Sequence, residues 1–273
     1  MKNILLVFAH PDDESFTSAG TVVKMVKAGW QIHLICATKG DAGMRGPHEE
    51  TADVGTLREK ELDESSKIVG ISSITHLGYR DGKMSDINPG ELEDILYKKL
   101  LELHPDIVIT FEPNGISNHP DHMKICLSTT FAFQKYAHVV LSAEPPGNRD
   151  PKRRLLHQKK PLATTIVLPK LYYACMPAGI VKFLIEKKVL PKESFGKPFR
   201  GVEDKTVTTV IDISKFATKK IQALKAHVTQ TSDVERFLSM KNHPLLSQEY
   251  FVLRMEGEKE VFMGNNDRVA NRL

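Results

Sequence analysis

Cysteine is scarce in this chain, whose 273 residues include only Cys36, Cys126 and Cys175, far apart from one another. An odd and dispersed set excludes a disulfide framework and a cysteine-based zinc site, and it indicates a reducing compartment. No uncharged apolar run of about 18 residues is present, which excludes a spanning helix. The apolar run over residues 4–9 is too short for a secretory signal. We therefore expect a cytoplasmic protein.

A glycine-rich GxGxxG turn is also missing after the first predicted strand, which disfavours dinucleotide binding. The net charge is only +4, yet residues 150–200 hold twelve lysines and arginines against three acids. This basic stretch is either a solvated insertion or a face for an anionic ligand. Since it lacks the aromatic motifs of RNA-binding modules, we predict no nucleic-acid partner.

The first 140 residues alternate between apolar runs and helical periodicity. This pattern predicts strands over residues 3–9, 31–38, 73–77 and 106–111 and helices over residues 15–28, 56–69, 88–104 and 121–137. Alternation at this spacing favours an α/β fold with a Rossmann-like, doubly wound, mostly parallel sheet. We expect one domain spanning residues 1–273.

The pattern breaks between about residues 140 and 205, which we predict to be an irregular basic insertion or cap. Within it, strands are predicted over residues 164–168 and 171–175 and a short helix over 178–188. Regular elements return as a strand at 206–211, a helix at 214–226 that starts from Ser214, and a strand at 250–255. An apolar run in the insertion could meet a membrane surface, but burial against the core is the favoured interpretation.

Two polar clusters follow the first and fourth predicted strands. Residues 9–14 read AHPDDE, and residues 112–122 read EPNGISNHPDH. Ligands of open α/β sheets bind outside the carboxyl ends of the strands, where both clusters fall. Each combines imidazole with carboxylate, the donor set of a hydrolytic metal centre. Two histidines and one carboxylate would hold the metal, and an unligated aspartate beside them can act as a base.

The paired motifs AHPDDE and HPDH (residues 119–122), with Gly20-Thr21 between them, resemble the PIG-L/LmbE-like zinc-dependent N-deacetylases. Further similarity lies in residues 38–43 (TKGDAG), 57–61 (LREKE), 77–82 (LGYRDG) and 226–230 (AHVTQ). The resemblance covers residues 1–137 and about 205–255. That family includes de-N-acetylases of glycosylphosphatidylinositol, mycothiol and bacillithiol biosynthesis and a mycothiol-conjugate amidase.

The resemblance implies metal ligands, a base and a polarising histidine. The implied ligands are His10, Asp13 and His122, with Zn²⁺ as the expected cofactor. Asp12 becomes the general base, and His119 becomes an imidazolium that stabilises the oxyanion or protonates the leaving group. The Asp121 carboxylate is expected behind His119, orienting it. A two-histidine, one-carboxylate set also suits Fe²⁺.

Three further residues receive expectations from the same resemblance. Arg58 matches an arginine that contacts substrate. His227 occupies a place where some members carry a tyrosine near the metal, so we expect it to bind substrate. Glu14 is given no chemistry and is expected to hold its loop.

The implied activity is hydrolysis of the N-acetyl group of an amino sugar or of an N-acetylglucosamine conjugate. Two alternatives remain open at this point: an amidase that cleaves a larger acyl group, and a non-catalytic scaffold on the same fold. The intact Asp12 disfavours the scaffold, because binding needs no base. We expect a small N-acetylated sugar as partner and a homo-oligomer, and an insertion whose Lys152, Arg153 and Arg154 select an anionic group on the sugar.

Overall fold

A computed structural model describes residues 2–44, 46–47, 53–142, 168–261 and 273 of the chain. Its strands are β1 (Asn3–Phe8), β2 (Gln31–Thr38), β3 (Ser73–Tyr79), β4 (Ile107–Phe111), β5 (Lys170–Cys175), β6 (Glu193–Ser194), β7 (Lys197–Pro198), β8 (Thr209–Asp212), β9 (Gln248–Glu256) and β10 (Lys259–Glu260). Its α-helices are α1 (Asp13–Thr17), α2 (Ala19–Lys27), α3 (Val54–Val69), α4 (Glu91–Leu103), α5 (Gly115–Asn118), α6 (Pro120–Leu141), α7 (Ala178–Glu186), α8 (Ala217–Ala226) and α9 (Thr231–Leu238).

One large sheet organises the described residues, in the strand order β10-β9-β5-β4-β1-β2-β3, with β8 also paired to β9. Strands β1 to β5 are mutually parallel, while β8 and β10 run antiparallel to β9, and β9 antiparallel to β5. The predicted α/β class with a Rossmann-like, mostly parallel sheet is therefore confirmed.

The central strands are apolar because helices cover the parallel sheet. Every residue of β4 and all but the first of β1 are buried. Helix α4 packs against α6, and α3 packs against α8. Within the described part of the chain, no helix combines the length and apolarity needed to cross a bilayer.

The core sheet extends into the range predicted as an insertion. Strand β5 lies between β4 and β9 at the centre of the sheet, although the sequence range 140–205 includes it. Most of the predicted strand at residues 164–168 lies outside the described residues. Lys152, Arg153 and Arg154 lie outside them as well. The rest of the range contributes α7 and the two-stranded hairpin of β6 and β7.

The helix predicted over residues 15–28 is two helices, separated by non-helical backbone at Ser18 (φ −144°, ψ 4°). The carboxylate of Glu249 accepts the backbone N–H groups of Gly20 and Thr21 at 2.9 and 2.7 Å. A carboxylate at the first N–H groups of a helix replaces the missing intrahelical partners. The break is thus fixed by a side chain more than 200 residues away.

Helix α8 also begins later than expected, at Ala217, because Ser214 bonds Asp212 instead of capping the helix.

Lys220 of α8 completes this connection. Its ammonium group donates to Glu249 at 2.8 Å and to the carbonyl of Phe16 at 3.0 Å, and both charged side chains are 1% exposed. The pair therefore ties β9 and α8 to the two helices that follow β1.

Replacing Glu249 by alanine should lower the free energy of unfolding by about 3–5 kcal/mol, because Lys220 then stays buried without its counter-charge. Urea denaturation of both proteins measures the difference. Glu64→Ala, which removes the exposed ion pair with Lys67, serves as the control and should change stability little. Equal small losses in both variants would contradict a structural role for the buried pair.

Candidate active site

Strands β1 and β4 are neighbours, although the chain has added two other strands between them. Ile4 pairs with Ile107 and Leu6 with Ile109 in parallel register. The two loops that follow these strands therefore leave the same edge of the sheet side by side. The strand order reverses between β1 and β4, which is where open α/β sheets bind ligands.

Three side chains from these loops converge on one point. His10 Nδ1 lies 3.0 Å from His122 Nε2, and Asp13 Oδ1 lies 3.3 Å from the same His122 nitrogen. Asp13 Oδ2 lies 3.6 Å from His10 Nδ1. Tetrahedral ligands on bonds of ~2.0–2.1 Å sit about 3.3 Å from each other, so the His10–His122 and Asp13–His122 spacings fit a small divalent cation.

His122 and Asp13 present their free atoms because their other atoms are occupied. The Nδ1 of His122 donates to the carbonyl of Gly115 at 3.0 Å, which leaves the Nε2 lone pair for a metal. Gly115 has φ +65°, and a Cβ there would stand 2.7 Å from that of His122. Asp13 Oδ2 accepts the backbone N–H of His10 at 2.7 Å, so Oδ1 stays available. Burial lowers the pKa of His122 to about 4, which keeps its ring neutral.

The opposite nitrogen of His10 faces two carboxylates. Its Nε2 lies 2.9 Å from Asp81 Oδ1 and 3.3 Å from Asp121 Oδ2. A proton on Nε2 leaves Nδ1 free on the metal side. Partners of the outer nitrogen commonly fix the tautomer of a ligating histidine in this way. Asp121 also accepts the backbone N–H groups of Gly82 and Met84. The expectation that the Asp121 carboxylate orients His119 is thus corrected, since that carboxylate contacts His10.

His119 is oriented by backbone. It is the N-cap of α6, and its Nδ1 accepts the N–H of Asp121 at 3.1 Å. A ring that accepts at Nδ1 carries its proton on Nε2 and needs no positive charge to donate from there. Burial lowers the pKa of His119. The geometry thus favours a neutral donor over the expected imidazolium.

The same bond at Nδ1 bears on the choice of metal ligands. His10, His119 and His122 also form a group compact enough for a cation, as do His10, Asp81 and Asp121. His119 Nδ1 accepts the N–H at the start of α6, so the other ring nitrogen carries the proton and is not a free ligand atom. Asp81 and Asp121 both contact the same nitrogen of His10. The set of His10, Asp13 and His122 therefore has the ligand atoms that are most clearly free.

Asp12 lies beside these three residues in an unusual backbone conformation, with φ +116°. Such a residue persists only where its surroundings fix it, at a cost of ~1–3 kcal/mol. Here Glu14 Oε2 accepts the N–H of Asp12 at 3.2 Å, and Arg58 donates to Asp12 Oδ2 at 3.0 Å. Burial raises the pKa of Asp12 to about 7, and the guanidinium opposes it.

Arg58 is only 4% exposed and is therefore not a surface arginine. Together with Asp12 and His10 it lines a cavity of about 670 Å³. It donates to the carbonyls of Pro11 at 2.6 Å and Gly40 at 3.1 Å. Gly40 has φ +66°, and a Cβ there would stand 2.6 Å from the guanidinium carbon. Arg58 therefore holds two loops and the Asp12 carboxylate, and a contact with substrate stays a prediction.

His227 lies behind the site. It is 1% exposed, and its Nε2 meets Glu14 Oε1 at 3.1 Å. It is absent from the residues that line the cavity within the described ranges. His227 thus lies one contact behind the Asp12 backbone, and its contact with substrate stays a prediction. Glu14 also accepts from Ser15 and Ser65, as expected for a residue that holds its loop.

Two residues near the site were given no role from the sequence. Asp81 belongs to the LGYRDG motif, but nothing in the sequence shows that it contacts His10. Phe195, in the hairpin of β6 and β7, packs its ring against His119 with centroids 4.5 Å apart. Only the folded chain brings either residue to the metal-binding loops.

Comparisons with known proteins give relatives of this chain. The family model of PIG-L, described as GlcNAc-PI de-N-acetylase, matches residues 5–133. A 1D-myo-inositol 2-acetamido-2-deoxy-alpha-D-glucopyranoside deacetylase of Streptomyces scabiei is 30% identical over 96% of this chain and 89% of its own length.

Two solved structures share the fold. The N,N'-diacetylchitobiose deacetylase of Pyrococcus horikoshii matches 94% of this chain and 84% of its own, with TM-score 0.60 and 21% identity. The 4-carboxy-2-hydroxymuconate hydratase GalB of Pseudomonas putida KT2440 matches 96% of this chain and 100% of its own, with TM-score 0.62 and 15% identity. At these identities the likeness concerns the fold alone.

Removing either histidine of the convergent set should abolish tight metal binding. We expect His10→Ala and His122→Ala to weaken metal affinity by more than the ~10–100-fold typical of losing an outer partner. Metal per chain after dialysis, measured by mass spectrometry, tests this. His119→Ala is the matched control and should keep its metal; loss of metal there would make His119 a ligand.

Proposed function

This chain belongs to the PIG-L family of de-N-acetylases, and from that membership we propose that it is a metal-dependent hydrolase of N-acetylated amino sugars. Its substrate is N-acetylglucosamine joined to a second group, and its products are acetate and the free amine. The proposed cofactor is Zn²⁺, with Fe²⁺ as the second candidate because both suit two imidazoles and a carboxylate.

The observation that carries the proposal is the meeting of three free ligand atoms with an unligated carboxylate. His10, Asp13 and His122 supply the ligand atoms, and Asp12 follows in the same loop. A cation held there supplies a Lewis acid and lowers the pKa of water towards ~7. A scaffold or binding module has no use for a base held at this position in strained backbone.

Asp12 is the proposed general base. Its backbone is fixed through Glu14 and its carboxylate through Arg58, so one oxygen keeps a defined place beside the metal ligands. It takes a proton from the attacking water. His119 donates its Nε2 proton in a hydrogen bond to the carbonyl oxygen as negative charge grows there, the work of an oxyanion hole.

The amine leaves with a proton. The single ring proton of His119 stays on Nε2, where it is hydrogen-bonded to the carbonyl oxygen. We therefore assign to Asp12 the proton that reaches the leaving amine nitrogen. The balance then closes: water gives hydroxide to the carbonyl carbon and one proton to Asp12, and Asp12 passes that proton to the leaving nitrogen.

Other parts of the assignment stay predictions. These are a substrate contact by Arg58, a single domain over residues 1–273, a homo-oligomer and a cytoplasmic location. Cleavage of a larger acyl group remains the alternative reaction, since the same ligands and base serve any amide.

Assay of amine release tests the function. The metal-loaded protein should release the amine from an N-acetylglucosamine glycoside, while Asp12→Ala and the chelated protein should not. A matched series with N-acetyl, N-butanoyl and N-hexanoyl groups separates deacetylase from amidase. Preference for the hexanoyl compound favours the amidase, and no release from any of them with full metal occupancy favours the scaffold.

Asp12→Asn and Asp13→Asn should separate base from ligand. Asp12→Asn keeps shape but cannot take a proton, so metal content should persist while kcat falls by ~10²–10⁴-fold. Asp13→Asn should instead lower metal affinity. Metal titration and kinetics at saturating metal measure both, and the opposite behaviour would exchange the two roles.

A further inference from the structure

The candidate active site forms one end of a larger cavity. The cavity has a volume of about 670 Å³ and includes His10, Asp12 and His119 in its lining. Cavities of roughly 300–1,000 Å³ hold drug-sized ligands. Space therefore remains beyond the reacting amide and its sugar for the group joined to the sugar.

One wall of this space comes from the chain between β5 and β8. We call it the hairpin wall, and its members are Met176, Val189, Leu190, Phe195 and Phe199. All five are apolar. The hairpin is fixed to the site loop, because the Asn118 side chain donates to the carbonyls of Ser194 and Pro198 at 3.5 and 3.2 Å.

Phe195 is the exposed member of the hairpin wall. It is 57% exposed, although its ring packs edge-on against His119. Phe195 thus continues the apolar lining of the cavity out to solvent, beside His119, where a ligand in the cavity would cover it.

A second set of apolar side chains lines the same cavity, and we call it the second wall. Its members are Phe16, Phe237, Leu245 and Tyr250. The rings of Phe16 and Phe237 pack edge-to-face at 5.2 Å. A group that leaves the sugar into this part of the cavity therefore meets apolar side chains of both walls.

Each described lysine and arginine side chain of the cavity lining has an acidic partner. Among the described lining residues, the lysine and arginine side chains are Arg58, Lys220 and Arg236, which pair with Asp12, Glu249 and Asp233 respectively. The described lysines of residues 182–205 are absent from the lining. The prediction that the sugar carries an anionic group rested on Lys152, Arg153 and Arg154, which lie outside the described residues.

We propose that the two walls form a subsite for an apolar aglycone, an aryl or alkyl group on the anomeric oxygen of the amino sugar. This assignment rests on the proposed function and names its substrate class. The apolar group covers Phe195 on binding, and removal of both surfaces from water supplies the affinity.

Kinetics on four glycosides of N-acetylglucosamine test the subsite: methyl, phenyl, octyl and the 1-phosphate. The metal-loaded enzyme should show kcat/KM at least about tenfold higher for phenyl and octyl than for methyl, with the phosphate lowest. Phe195→Ala should reduce the phenyl-to-methyl ratio several-fold, and Phe195→Leu should retain most of it.

Phe131→Ala is the matched control, because Phe131 is 61% exposed on α6 and lies outside this cavity. It should leave every ratio unchanged. Equal kcat/KM for methyl and phenyl, or a ratio unmoved by Phe195→Ala, overturns the subsite while leaving the deacetylase intact.

Calorimetry keeps the subsite testable if no glycoside is hydrolysed, which would count against the proposed function itself. The phenyl glycoside should bind more tightly than the methyl glycoside, with a more negative heat-capacity change. Phe195→Ala should narrow that difference. Equal affinities would overturn the subsite on their own.

Discussion

The parallel pairing of β1 with β4 is the constraint on which the site depends. Neither loop alone has the complete set of proposed ligands: the first supplies His10 and Asp13, and the second supplies His122. Hydrogen bonds between the two strands bring the loops to one edge of the sheet, at the point where the strand order reverses. The apolar run of each strand is therefore as necessary to the metal centre as the ligands themselves.

His10 shows how the wider fold then orders this centre. One ring nitrogen faces the metal position, and the other faces Asp81, from the segment after β3, and Asp121, from the first turn of α6. Because a neutral imidazole has one proton, the carboxylates decide which nitrogen is free. The segment after β3 and the start of α6 thus determine the tautomer of a histidine that follows β1.

Local patterns predicted the sheet and the two polar loops that meet at its edge, because periodicity and motif spacing are properties of short stretches of chain. They failed where a partner is remote. The break at Ser18 needs Glu249, and the burial of His227 needs Glu14, more than 200 residues away in each case. The sequence spacing places Asp121 near His119. That its carboxylate contacts His10 instead depends on how α6 is rotated about its axis. The fold also occurs in a hydratase, so the reaction is argued from the donor atoms rather than from the architecture.

Helix α6 begins at the site, with His119 as its N-cap, and extends for 22 residues to Leu141. The peptide dipoles of a helix sum to about half a positive charge at this end. That partial charge acts within the first turn, where Asp121 and the oxygen of a reacting amide both carry negative charge. The helix that carries the proposed ligand His122 therefore also makes the electrostatic potential at this end of the cavity more positive, without adding a titratable group.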